Sequence, residues 1–142
     1  MVGIAATAHV RVARPARGLA EVERFYVEGL GMRVLYRATS VAGDPEHAHD
    51  LLMVGWPAAG WHLELVRDPA DPVEPRPTVE DLLVVYLDGP VDEAIVARME
   101  RAGGRRVASN NPYWDRFGVT VEDPDGYRLV LCERAWRNAD WA

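Results

Sequence analysis

The sequence predicts an α+β fold in which two βαβββ modules pair into a cup-shaped, mostly antiparallel sheet with helices outside. Three observations carry this. Residues 9–34, HVRVARPARGLAEVERFYVEGLGMRV, lie over residues 82–107, LLVVYLDGPVDEAIVARMERAGGRRV, without a gap at a constant offset of 73. WHLEL at 61–65 matches YRLVL at 127–131 at an offset of 66. Between the copies, Asp68 to Pro77 carries four prolines, which neither a strand ladder nor a helix interior accommodates.

Each copy opens on an alternating segment, near 7–13 and again near 82–87. A helical stretch follows, with Leu19, Val22, Tyr26 and Leu30 on one stripe in the first copy and Val91, Ile95, Met99 and Ala102 in the second. Gly31 and Gly103-Gly104 supply the stops. Three strands complete each module, near 33–38, 50–56 and 61–66, then near 105–109, 117–122 and 127–132. The fall in offset from 73 to 66 gives the first copy seven extra residues, placed in the Ser40 to Asp50 loop. One domain spans 1–142, with module 1 at about 7–67, a linker at 68–80 and module 2 at about 81–136. One module cannot cover both faces of its sheet, so the two sheets are expected to join around a concave inner face.

Alternation divides each strand into two residue sets, and the uniformly apolar set should face the helices. That places Val10, Val12, Leu63, Leu65, Leu83, Val85, Leu87, Leu129 and Leu131 against helices. His9, Arg11, His62 and Glu64 then face the hollow from module 1. Leu82, Val84, Tyr86, Arg128, Val130 and Cys132 face it from module 2. The segment from Asn111 to Phe117 reads as a loop whose Tyr113 and Trp114 offer stacking surface and whose Asp115 and Arg116 orient polar groups, or whose rings pack in a core or dimer interface.

Composition narrows the function. Hydrophobic residues at 49% and charged residues at 27% belong to a globular protein. A net charge of −6 argues against a nucleic-acid partner, whose phosphates call for Lys and Arg. No apolar run approaches membrane-spanning length, and there is no signal-peptide pattern, so a cytoplasmic location is expected with no membrane partner. The single cysteine, Cys132, has no internal disulfide partner and reads as a small buried hydrophobe. His47 and His49 form His-x-His in what reads as a solvated loop, and Trp56, Trp61 and Trp136 read as caps at strand ends.

The segments FYVEGLGMRVLYR, HLEL and EDPDGYRLVL, in this order and duplicated, resemble the vicinal-oxygen-chelate superfamily of glyoxalase I, bleomycin-resistance proteins and extradiol dioxygenases. The resemblance covers essentially the whole chain. It implies paired modules around a cup, and in many members a divalent metal held by one residue from each of four strands. By position those residues are His9, Glu64, Leu82 and Val130. Leu82 and Val130 offer no lone pair, so His9 and Glu64 read either as a vestigial pair that bonds a ligand or each other, or as a structural pair with Glu64 satisfied by Arg11 or Arg128, and no cofactor is expected. The resemblance thus implies a metal-free homodimer that sequesters an amphipathic or aromatic small molecule, such as an antibiotic or natural product. His9, Arg11, His62, Glu64, Tyr86, Tyr113, Trp114, Arg116 and Arg128 are its candidate ligand-binding residues. The alternative is an isomerase, lyase or dioxygenase with Glu64 as base and His9 as acid or ligand, with or without a divalent metal.

Overall fold

The computed structural model describes residues 2–142. Module 1 contains β1 (Val10–Pro15), α1 (Leu19–Glu23, continuing as a π-helical segment Arg24–Gly29), β2 (Arg33–Ala38), β3 (Asp50–Gly55) and β4 (Trp61–Arg67). Module 2 contains β5 (Leu82–Tyr86), α2 (Glu93–Arg101), β6 (Arg105–Val107), α3 (Pro112–Phe117), β7 (Gly118–Glu122) and β8 (Arg128–Cys132). The strand orders are β1-β4-β3-β2 and β5-β8-β7-β6. In each sheet the first strand runs parallel to the last, and the other two pairings are antiparallel. Among the described residues no strand pairing joins the two sheets. They are held together through the helices instead.

One apolar core serves both modules. Val22, Phe25, Tyr26 and Leu30 of the first helical stretch pack with Leu52, Val54, Leu63 and Leu65 of the first sheet. They also meet Val96 and Met99 of α2 and Val119, Val121, Leu129 and Leu131 of the second sheet. Gly31 and Gly103 end the two helices at φ +89° and +99°, left-handed conformations that an L side chain resists. A polar latch crosses the same contact: the buried Tyr26 hydroxyl donates to Asp123 Oδ2 at 2.7 Å, while Asp123 Oδ1 accepts from the backbone N–H groups of Asp125 and Tyr127. Burial raises the Asp123 carboxyl above its ordinary range, against the hydrogen bonds that pull it down. The linker is fastened by Arg17, which pairs with Glu74 at 2.9 Å and donates to the Pro75 carbonyl at 3.2 Å.

Leu63, Leu65, Leu129 and Leu131 are buried as alternation predicts, but Val10 and Val12 remain 53% and 39% exposed and Leu87 stays exposed. The reason is lateral position. β1 is an edge strand, and α1 lies over β3 and β4. The Asn111–Phe117 segment is also not a loop. Asn111 caps α3 by accepting from the Tyr113 N–H at 3.0 Å, and Pro112 occupies its first turn.

Candidate functional site

The face of the first sheet turned away from the helices carries a connected polar cluster. Arg11 lies opposite His62 and Ala13 opposite Glu64 in the parallel β1–β4 ladder, so His9, Arg11, His62 and Glu64 share that face. His9 Nε2 and His62 Nδ1 stand 2.6 Å apart. Arg11 donates from Nε to His62 Nε2 at 3.0 Å, and its Nη1 meets Glu64 Oε2 at 3.1 Å. Its Nη2 rests 3.6 Å from the sulfur of Met53, which lies opposite Glu64 on β3. Burial holds the His62 imidazole below its usual range, and Arg11 and then His9 push the same way, while Glu64 pulls it up.

Hydrogen bonding fixes the tautomers of this chain. Arg11 has only donors, so His62 Nε2 must be the accepting nitrogen and the His62 proton sits on Nδ1. His62 therefore donates to His9 Nε2. Neutral His9 then carries its own proton on Nδ1, which makes no hydrogen bond among the described residues.

The corresponding face of the second sheet is largely apolar and covered at its centre, while Tyr86 stays exposed. Val130 and Cys132 are fully buried although neither belongs to the core between sheet and helices. α3 packs on β7 and β8 on this side, tied down by the Asp115 carboxylate accepting from the Ser109 N–H at 3.0 Å and by a hydrogen bond between the Ser109 and Thr120 hydroxyls. Trp114 meets Tyr86 and Tyr113 edge-on, with centroids 6.5 and 5.0 Å apart. Tyr86 also meets Trp136, which stacks on Trp141.

The sequence-predicted residues thus fall into two groups, a polar one of His9, Arg11, His62 and Glu64 and an aromatic one of Tyr86, Tyr113 and Trp114. Arg116 lies over the Phe117 ring and Arg128 reaches the Ala108 carbonyl, so both make local contacts. Asp115 ties α3 to the Ser109 backbone. Trp136 is half exposed within the aromatic group, not a cap on the core. Three further residues were missed: Met53, which the antiparallel β3–β4 register places beside Glu64, and exposed Leu35 and Tyr36 on β2. Leu35 reaches the same spot above Gly55 as the His62 Cβ. His47 pairs with Asp44 at 2.8 Å, and His49 lines a cavity of about 350 Å³ with Asp68, Asp71 and Val66.

The arrangement does not fit the superfamily's metal. His9 and Glu64 stand at ladder levels four residues apart, roughly 13 Å along the strand, with Arg11 between them. His9 Nε2 is engaged by His62 and Glu64 by Arg11, and Leu82 and Val130 have only carbon to offer. Among the described residues no group of three or more His, Cys, Asp or Glu side chains is placed to hold a metal ion.

Comparison with known proteins places this geometry. Residues 10–66 match the YycE-like N-terminal domain, and residues 80–133 match the YycE-like C-terminal domain. The Bacillus subtilis (strain 168) protein YycE is 39% identical over 125 residues, covering 87% of this chain and 86% of its own. The crystal structure of a Bacillus subtilis YycE protein of unknown function, described as a candidate glyoxalase/fosfomycin resistance protein, aligns with TM-score 0.81 at 36% identity over 92% of this chain and 93% of that one. An antibiotic-binding protein, TnmS3 from Streptomyces sp. CB03234, aligns with TM-score 0.59 at 25% identity over 93% of this chain and all of that one. With both halves of the family matched in order, and with the duplicated sheets and helices these relatives share, the chain belongs to the YycE-like family of the vicinal-oxygen-chelate superfamily.

Proposed function

We propose that this chain is a metal-free binding protein that sequesters an amphipathic, ring-bearing small molecule in the cytoplasm, working as a homodimer. The observation that carries the reading is the state of the four superfamily metal positions. Two are carbon-only, Leu82 and Val130, and the other two are engaged by Arg11 and His62. What remains is a polar cluster on one module and an aromatic cluster on the other, the two kinds of surface an amphipathic ligand needs. The antibiotic-binding function of TnmS3 points the same way. A dimer is favoured because this chain exposes Tyr36, Tyr86, Tyr113, Trp136 and Trp141 on these faces, and a second copy would cover them.

Native mass spectrometry with elemental analysis tests the reading on protein as purified. A dimer without stoichiometric transition metal is expected. About one zinc, nickel, iron or manganese per chain would overturn the metal-free reading, and a monomer at high micromolar concentration would overturn the dimer. Tryptophan fluorescence titrated with a panel of aromatic natural products should show saturable quenching. Turnover of a panel member would favour an enzyme with Glu64 as its base.

A further inference from the structure

We propose that Arg11, His62 and His9 form a one-way donor relay ending at His9 Nδ1, and that the ligand atom seated there is the ionised oxygen of a phenol-type ring. The inference rests on the binding reading above and names the chemistry of its ligand. It starts from direction. Arg11 cannot accept, so every hydrogen bond in the chain runs outward from it, through His62 Nε2 and Nδ1 to His9 Nε2. Each neutral imidazole therefore has a fixed proton, and the last one, on His9 Nδ1, has no partner among the described residues.

A donor with a cation two links behind it selects its partner. Hydrogen bonds that involve ionised groups are shorter and roughly twice as strong as neutral pairs, and chains of bonds polarise one another. His9 has no lone pair left in this state, so it cannot accept a proton from a neutral hydroxyl. Glu64, the carboxylate of the cluster, is held through Oε2 by the Arg11 guanidinium. A phenol seated on His9 must turn its proton elsewhere or lose it, and its ionised form gains the hydrogen bond without that conflict.

The surroundings supply the ring. Met53 touches Arg11. Leu35 adjoins His62 above Gly55, and exposed Tyr36 lies opposite Met53 on β2. An apolar strip thus runs beside the polar chain. Leu35 stands at the His62 level, one link from His9, so a ring with its oxygen at His9 meets Leu35 first, while Met53 and Tyr36 lie at the Glu64 level, within reach only of a longer ring system. An ammonium or other donor-only group finds no acceptor at that end.

The closing experiment has two arms on the full-length protein. The first needs no ligand: ¹⁵N-resolved NMR of the histidine rings above neutral pH. It should show His9 protonated on Nδ1 and bare on Nε2, with His62 the same, and Arg11→Met should return His62 to a mixture of tautomers. His9 found protonated on Nε2, or freely averaging in the unmodified protein, overturns the relay. The second arm uses 4-nitrophenol, whose ionised form absorbs separately. Binding should lower its apparent ionisation midpoint by on the order of one pH unit, and His62→Phe should abolish that shift. If 4-nitrophenol binds with an unchanged or raised midpoint, or fails to bind at millimolar concentration, the phenolate assignment is wrong. Those failures differ from failure of the binding reading itself, which would appear as a metal-loaded protein or an unresponsive ligand panel.

Discussion

The two sheets share a plan and differ most on one face. Across the offset of 66, Leu63 and Leu65 become Leu129 and Leu131, and all four are buried against helices. His62 and Glu64, on the opposite face, become Arg128 and Val130. Across the offset of 73, His9 and Arg11 become Leu82 and Val84. The helix-facing set is what folds the module, so both copies need it. The other face is free to diverge, and here one became a hydrogen-bonded polar surface while the other was partly covered by α3. The pairing registers differ as well. Arg11 lies opposite His62, whereas its counterpart Val84 lies opposite Val130 rather than Arg128. This two-residue slip preserves which face each side chain occupies.

The sharpest way to break the comparison is to attack the shared set. Leu63→Ala and Leu129→Ala should each cost about 2 to 5 kcal/mol, as a fully buried leucine does when truncated. Urea denaturation checks this, and a loss in only one module would show that the helix-facing sets are not equivalent. Next comes the latch between modules. Tyr26→Phe removes the donor to a buried carboxylate and should cost about 1 to 3 kcal/mol. Burial raises Asp123 above the ordinary 3.8, so the stability its protonated form provides is full below that value and fades as pH rises through the folded-state value. The phenol offsets this by bonding the ionised carboxylate. Tyr26→Phe should therefore cost more at about pH 7 than at about pH 4, and equal cost at both would refute the assignment.

Much of this was legible. The duplication, the succession of strands and helices along the chain and the helix-facing leucines follow from an alternation of period two and a constant offset, which survive in sequence because the fold depends on them. Three things were not legible in practice. α3 has six residues, too few for an amphipathic stripe to show, although Asn111-Pro112 is a helix-start signal. The exposure of Val10 and Val12 depends on how far α1 extends across the sheet, which alternation does not encode. The His9–His62 contact depends on β1 and β4 being parallel neighbours in one register, whereas the positional match pairs His9 with the more distant Glu64.

Two smaller effects probe the divergent faces. Trp114→Ala strips the half-covered ring that meets Tyr86 and Tyr113, and should lower stability by about 1 to 2 kcal/mol while abolishing quenching by an aromatic ligand. A melt unchanged together with unchanged affinity would move the ligand to the His9 side alone. Smallest is the pH response of His62. Its folded-state value lies below the ordinary 6.5, so the stability its neutral ring provides is full above 6.5 and lost as pH falls through the folded-state value. Unfolding measured between about pH 7.5 and 5.5 should show a loss of about 1 kcal/mol or less, absent in His62→Gln. The second sheet offers no counterpart, since Arg128 does not titrate in this range.

The wide turn in the first helix bears on how this chain tolerates changes of length. The Leu30 N–H bonds to the Phe25 carbonyl, five residues back, where an ordinary turn would reach four. The segment Arg24–Gly29 thus stores one residue more than an α-helix of the same rise requires. Deleting a residue there would let the turn close into regular helix without lengthening or breaking any strand connection. The residues on either side would keep nearly their present facing, because the wide turn already absorbs the rotation of the extra residue, so Val22 and Leu30 could both keep their places in the core. The same deletion in the regular helix α2 would rotate its flanks by about 100°. Insertions and deletions are usually absorbed by loops. In this molecule a helix interior has room for one, and the bond from Tyr26 to Asp123 would report whether it had happened.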